Sequence, residues 1–523
     1  MSMAWKKGDV LKATGLYLLI IPFLNALNVT GYENSQIQGH FGASSVELMY
    51  ASLVPVFVMM AGLPLALELA KLWPLKSMML GITIMAIAVN TCSAYVPNLV
   101  WFTACRSVLT FLTIFGIVAA LIPIVVLYNP KLNMAIMYGI VQFIIQGSSL
   151  LYKYAGTQFA ALYDWRSSLW LLNLNFLICI LLAFVFLRKN VALGKAPFRF
   201  DFTGWAFLIL FFAPLLFLSA EGQNREWFSD GKVTMAASMV LVVIGAYMLY
   251  ARNARDPLIK LEVFRYSNVA WGTFFFFLIG VANSTGSVIT GFMAGILGFD
   301  EIYMARTHLY MLAGLVVSVP LCTYMIYKRV YLGIAAIFGF LGFTGYHLLM
   351  YFRFYPGIGE ADFILPFVLK GVGIGFLYVL SALYISENVP KPLSTSRMMS
   401  GVIARIIIAT ILGGAVISTW VNNGTVLHKT GISQQLTPIH HEAYLKQENT
   451  RAYYMAEGLK PAEADKMADN PLQSDIKKPA TLLAYKDLYL VMAAISFLPI
   501  LLVLLFRMGR RPLGKVEVEP LPI

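Results

Sequence analysis

Three basic side chains, Arg106, Lys370 and Arg405, each fall inside a long apolar run. An ionised group in hydrocarbon costs at least about 2.5–3.5 kcal/mol on insertion scales, so it faces a cavity or a partner and is a functional candidate by default. For Arg106 the competing reading is structural, a guanidinium that bonds helix carbonyls and holds helices together. An acid close to the end of the first run, Glu33 in NVTGYENSQIQG, is a candidate partner. At 1.5 Å per residue, Arg106 lies roughly 10 Å below the surface near which Glu33 sits, so the two are able to meet. A pair of this kind handles protons: the guanidinium favours the charged carboxylate, a dry cavity favours the neutral one, and alternation between them binds and releases a proton. Otherwise Glu33 is a solvated loop carboxylate. Lys370 either repeats the role of Arg106 or snorkels toward the surface. Arg405, in SGVIARIIIATILGG, has no acid nearby in sequence.

Uncharged polar groups in the runs are the next candidates. Gln142 and Gln146 are four apart and Asn25 and Asn28 three apart, spacings that place each pair on one helix face. Such faces line a cavity or bond between helices, the latter worth about 0.6 kcal/mol on average. Asn283 begins a polar stretch with Ser284, Thr285 and Ser287 and is a further cavity candidate. Aromatic residues make up 14% of the chain, and a cavity for large apolar cations or lipophilic compounds would use some of them. Enzymatic chemistry has no foothold: there is no phosphate loop, no His-Glu-x-x-His and no Gly-x-Ser-x-Gly elbow. No cofactor site is expected. His440 and His441 form an adjacent pair too weak to define a metal site, and Cys92, Cys105, Cys179 and Cys322 lie in apolar stretches as small packing residues.

The elements that position these groups are membrane helices. Hydrophobic residues are 59% of the 523 and charged residues 12%, a balance that leaves too little polar surface for a soluble globule and makes lipid the solvent. Fourteen runs are long enough to cross a bilayer: Leu11 to Tyr32, Leu48 to Ala70, Ser77 to Tyr95, Leu99 to Leu127, Met134 to Leu151, Leu169 to Leu187, Gly204 to Leu218, Val233 to Tyr250, Val269 to Leu297, Tyr303 to Tyr327, Tyr331 to Tyr351, Ile364 to Ile385, Met398 to Val421 and Leu483 to Phe506. The formal charge of +13 comes from short loops rather than from a basic stripe, which argues against nucleic acid. Alternate loops hold most of the Lys and Arg, among them Lys6, Lys7, Arg188, Lys189, Arg252, Arg255, Lys260 and Arg507. The positive-inside rule therefore puts both termini in the cytoplasm. The start, MSMAWKKGDVLK, has no cleavable-signal pattern, so the first run is expected to stay as a helix.

The runs suggest a six, two, six plan: a bundle over 1–190, a helix pair over 191–265 and a second bundle over 266–523, the last interrupted by a polar extracytoplasmic segment, 422–481, that reads as partly helical. Arg106 in the fourth run and Lys370 in the twelfth occupy matching places in the two blocks. Ionisable groups at matching depth in repeated halves are a pattern of transporters with a central site.

Five segments carry a closer likeness: DWRSSLWLLNL, FDFTGW with EGQNREWFSD, ARDPLIKLEVFRYSN, LPFVLKGVGIGFLYVLSAL and LAYKDLYLVMA. In order and spacing the chain resembles the fourteen-span drug and proton antiporters of the major facilitator superfamily, the EmrB or QacA type. The resemblance implies alternating access between two six-helix bundles, a cavity for a small-molecule substrate near the midplane, and export driven by protons. Arg106 matches an Arg of the family's fourth-span motif, Lys370 stands in place of a family Arg, and Arg405 matches another. It also implies that a periplasmic adaptor and an outer-membrane channel could dock in a Gram-negative host. Some family features are altered. The gating loop after the second span reads LELAKLWPLKS and keeps only Glu68, Lys71 and Lys76 as charged remnants, the fifth span lacks the Gly-Pro-x-x-Gly-Gly motif, and the first has Asn25 and Asn28 where the family has an Asp. Two other outcomes stay open: export of a dedicated lipid, pigment or siderophore, or a membrane receptor or enzyme that has lost transport.

Overall fold

A computed structural model describes residues 7–28, 34–128, 134–187, 198, 200–328, 330–435, 441–457 and 460–505. These form an all-α membrane protein. Among the described residues, thirteen helical stretches are long and apolar enough to cross a bilayer, and a shorter apolar helix, Leu11–Asn25, stands where the sequence places the first of fourteen. Helices are what lipid demands, because every backbone N–H and C=O must find its partner within the segment.

The first bundle contains α1 (Lys7–Asn25), α3 (Ser45–Leu69), α4 (Leu75–Ser93), α5 (Leu99–Tyr128), α6 (Met134–Leu162) and α7 (Arg166–Phe186), with a short surface helix, α2 (Asn34–Phe41), between α1 and α3. Here α5 packs against α1, α3 and α4, and α7 closes on α1, α4 and α6. The inserted pair, α8 (Phe202–Glu221) and α9 (Gly231–Asn253), packs on itself and reaches α3. The second bundle holds α10 (Ser267–Asn283) with α11 (Gly286–Gly295), α12 (Glu301–Tyr327), α13 (Leu332–Arg353), α14 (Ile364–Tyr384), the composite span α15 (Ser394–Val402) to α16 (Gly413–Gln435), and α18 (Pro461–Leu505). Helix α17 (His441–Ala456) packs on α18. The halves meet where α6 lies against α12 and α14. The side carrying α2 is termed the α2 face.

Local sequence sets the helix starts. Asp201, Asp230 and Asp300 cap α8, α9 and α12 by accepting from the backbone N–H of Gly204, Lys232 and Tyr303 at 2.7–2.8 Å. Small residues set the closest packing. A Cβ on Gly371 would stand 2.1 Å from the Met311 carbonyl, and one on Gly342 would stand 2.7 Å from the Gly373 nitrogen, so α12 and α13 clasp α14 backbone to backbone.

Two spans of the second bundle are irregular and touch each other. The ninth breaks at Ser284 and Thr285, between α10 and α11, and the thirteenth passes through a π-helical stretch, Ile403–Leu412. Wide turns of this kind gather at functional sites.

Three sequence expectations shift. The fifth span continues past Leu151 to Leu162, which brings Lys153 inside it. Helix α1 ends at Asn25, so Asn28 lies in the following turn and shares no helix face with it. The helices of the last two spans outrun their apolar runs, α16 continuing past Val421 to Gln435 and α18 beginning at Pro461 rather than Leu483, so the partly helical segment 422–481 is mostly an extension of these spans; His428 and Asp487 tie the two together at 2.7 Å.

Candidate functional site

A cavity of about 310 Å³ lies between the halves on the side away from the α2 face. The first bundle supplies Leu67 of α3 with Tyr138 and Gln142 of α6, and the second supplies Phe276, Ile385, Arg397 and Arg405 among others. Ser394 and Thr395 line this cavity and also a wider vestibule of about 880 Å³, whose rim includes Glu68, Lys71, Asp201 and Lys260. The two spaces therefore share a wall and lead from the loops inward. Acids at the rim already have partners: Glu68 pairs with Lys71, Asp256 with Lys260, and Asp201 accepts from Tyr250 and from the backbone N–H of Gly204 and Leu258.

Deeper in, the charge is of one sign. The Arg405 guanidinium lies 4.6 Å from the centre of the Tyr378 ring and 5.4 Å from that of Phe276, a cation–π sandwich between α14 and α10. Arg405 lies in the π stretch, where its backbone carbonyl accepts from the Thr410 hydroxyl five residues on, at 2.8 Å. Gly280 of α10 allows the approach, since a Cβ there would sit 2.5 Å from the Arg405 carbonyl. Arg397 donates to the Ser386 carbonyl at 3.0 Å. None of the lining residues is acidic.

Toward the α2 face the halves are joined. Glu301, at the start of α12, accepts from the Ser35 hydroxyl and, at 3.2 Å, from the Gln36 amide, both on α2. Below this seam, Arg106 is 4% exposed and donates to the Ala26 carbonyl in the turn that follows α1, while its second terminal nitrogen is buried without a hydrogen bond. Glu33, its expected partner, lies outside the described residues. Lys370 is likewise 4% exposed, with its ammonium 4.9 Å from the Tyr346 ring centre, so it does not reach the surface. The Tyr346 and Tyr489 hydroxyls meet at 3.2 Å, and Tyr489 donates to the Thr285 carbonyl at the α10–α11 break. His308, His347 and Lys153 are within electrostatic reach of Lys370.

A model described as Major Facilitator Superfamily matches residues 15–418. The chain belongs to the major facilitator superfamily. Members of this superfamily are transporters rather than enzymes, and this facilitator is a multi-pass membrane protein of that class. Solved structures agree on the fold. A proton:xylose symporter, XylE, bound to 6-bromo-6-deoxy-D-glucose is 12% identical, with 98% of this chain and 99% of that chain covered and a TM-score of 0.56. A POT family transporter in complex with a thioalcohol-conjugated peptide is 13% identical, with 94% and 96% covered and a TM-score of 0.56. The nucleoside transporter NupG is 10% identical, with 96% and 100% covered and a TM-score of 0.52.

Within the facilitator fold, the residues singled out from the sequence separate into groups. Gln142 and Arg405 line one cavity from opposite halves, and Glu68 and Lys71 stand at its vestibule. Lys76 instead lies 5.1 Å from the Phe184 ring centre, on the outside of the first bundle. Asn25 is fully buried and donates to Ser148 at 3.1 Å, an α1–α6 tie. Gln146 is half-buried one turn beyond Gln142, and Asn283 is the half-buried last residue of α10. Tyr138, Arg397, Lys153 and Glu301 were not anticipated. Arg397 and Lys153 flank apolar runs in the sequence and fall within helices that outlast those runs.

Proposed function

We propose that this facilitator is a proton-driven exporter of small amphiphilic compounds, of the fourteen-span drug and proton antiporter type, working by alternating access. The observation that carries the reading is the cavity built from both halves, entered through the vestibule at one face, with the Ser35, Gln36 and Glu301 seam closing the other. Cations in the loops and adjoining helix ends, Lys71, Lys76, Arg252, Arg255, Lys260, Arg265 and Lys328, gather on the vestibule side, which supports a cytoplasmic assignment for that face and for both termini. Substrate then loads from the cytoplasm, and rocking of 1–190 against 266–523, with 191–265 riding alongside, releases it beyond an inner membrane. The segment 422–481 is then extracytoplasmic and the natural contact for a periplasmic adaptor and outer-membrane channel.

A second reading, export of one dedicated metabolite, is favoured by a single feature: in the membrane-crossing stretches of the described helices, the carboxylates lie near the ends or, at Asp487, pair with His428. Everted membrane vesicles decide between them. Uptake of several chemically unlike dyes that collapses when the pH gradient is dissipated supports the first reading. Uptake of none, with preserved fold, removes it.

A further inference from the structure

The charge of the substrate is legible in the cavity. Two guanidinium groups, Arg397 and Arg405, line it from the second half; the first half contributes hydrogen-bonding groups, Tyr138 and Gln142, and no lining residue carries a carboxylate. The three acids at the vestibule, Glu68, Asp201 and Asp256, are matched there by three bases, Lys71, Arg255 and Lys260, so the mouth carries no excess negative charge to attract a cation. Of the rings at or beside the cavity, Phe276 and Tyr378 are already covered by the protein's own Arg405, and Tyr138 has Arg397 within electrostatic reach. Apart from the hydroxyls of Ser386, Ser394 and Thr395, the rest of the wall, including Leu67, Ile385, Met398 and Val402, is apolar.

From this arrangement we infer that the transported compound is an organic anion, one carboxylate or phosphate on an apolar or aromatic body, with its oxyanion at Arg405 and Arg397 and its body against the apolar wall. A planar guanidinium presents several donors in a fork that matches either oxyanion, and bidentate pairs of this kind give both strength and orientation. Arg405 is held from behind by two rings and a wide helical turn, which leaves its donors free to turn toward the cavity. A volume of about 310 Å³ suits one small molecule of that type. The inference rests on the transport reading and narrows it to a substrate class.

The test uses the full chain in lipid nanodiscs and two xanthene dyes of similar shape and opposite charge, fluorescein and rhodamine 123, followed by fluorescence anisotropy. Fluorescein is expected to bind saturably and more tightly than rhodamine 123. Arg405→Gln is expected to weaken it roughly tenfold or more, as loss of a charge-assisted bond predicts. Arg397→Gln weakens it independently, and Arg405→Lys retains part of the affinity, so the inference stays testable if one variant fails to fold. Octanoate and octyl phosphate are then added as competitors: displacement by either supports an oxyanion site and tells which chemistry it prefers, while displacement by neither overturns it. Tighter binding of rhodamine 123, or fluorescein binding unchanged in both Gln variants, also overturns it. Binding needs no turnover, so the two readings fail separately: fluorescein bound but not moved in vesicles sinks transport and leaves the anion site. Rhodamine 123 moved in preference to fluorescein does the reverse.

Discussion

Gln36 donates to Glu301 across 3.2 Å and so fastens α2 of the first half to α12 of the second. With the Ser35 hydroxyl on the other oxygen, one carboxylate carries the seam that closes the α2 face. Hydrogen bonds to a charged group contribute about 1.5–3 kcal/mol each, enough to set which face of a two-state protein is open. Glu301→Ala should move the population toward opening on the α2 face by roughly tenfold or more. Spin labels at Gly39 and Tyr303, read by pulsed electron resonance, should report longer distances in the variant. Unchanged distances would place the seam elsewhere.

Gly280 predicts a packing defect at the site itself. A methyl group there meets the Arg405 carbonyl and the Ala409 Cβ at 2.5 Å, and overpacking of this kind costs about 1–3 kcal/mol. Gly280→Ala should therefore lower the unfolding temperature and reduce substrate binding together. Gly286→Ala, with nothing within 4 Å of its Cβ, is the control and should be neutral or slightly stabilising in the same thermal scan.

Arg106 should behave as a structural clamp whatever it does in the transport cycle. Replacement by Met leaves the Ala26 carbonyl without its donor, and an unsatisfied buried acceptor costs about 1–3 kcal/mol. Thermal unfolding of Arg106→Met should begin earlier than in the parent, with Arg106→Lys intermediate. Equal stability of all three would show that the turn after α1 finds another donor.

The loop joining α8 to α9 carries a pH dependence. The Asp230 carboxyl is held below its ordinary value, first by the Lys232 backbone N–H and then by the Arg225 guanidinium. A depressed carboxylate contributes stability above its unfolded-state value and loses it as pH falls through the lowered one, so the cap is intact at neutral pH and fails in acid. Asp230→Asn keeps a capping oxygen and should flatten the acid limb of the pH–unfolding curve; an acid limb that persists in the variant assigns it to other groups.

The spans were legible in the sequence because lipid imposes one rule, an unbroken apolar run, on every one of them. What the runs could not give was where each helix stops. Lys153 and Arg397 lie just outside the apolar windows yet within α6 and α15, since a helix that turns a protected face inward tolerates polar residues that a window average rejects. Gln142 and Arg405 were recognisable by type alone. Their meeting was not, because it depends on how α6 of one half docks against the other half, a relation between distant parts of the chain that no local pattern encodes. Asn25 and Asn28 failed as a pair for a related reason: the spacing rule presumes a continuous helix, and this one ends at the first of them.

The π stretch Ile403–Leu412 amounts to a surplus residue accommodated without leaving the helix. Excising one residue between Ile406 and Leu412 would let the segment close into ordinary α geometry with both flanks kept nearly in register, whereas the same cut in a regular α-helix would turn one flank by about 100° relative to the other. The wide turn at Arg405 thus depends on chain length as much as on side-chain identity: a deletion that touches no cavity residue would remove it, and restoring a residue of almost any kind would bring it back.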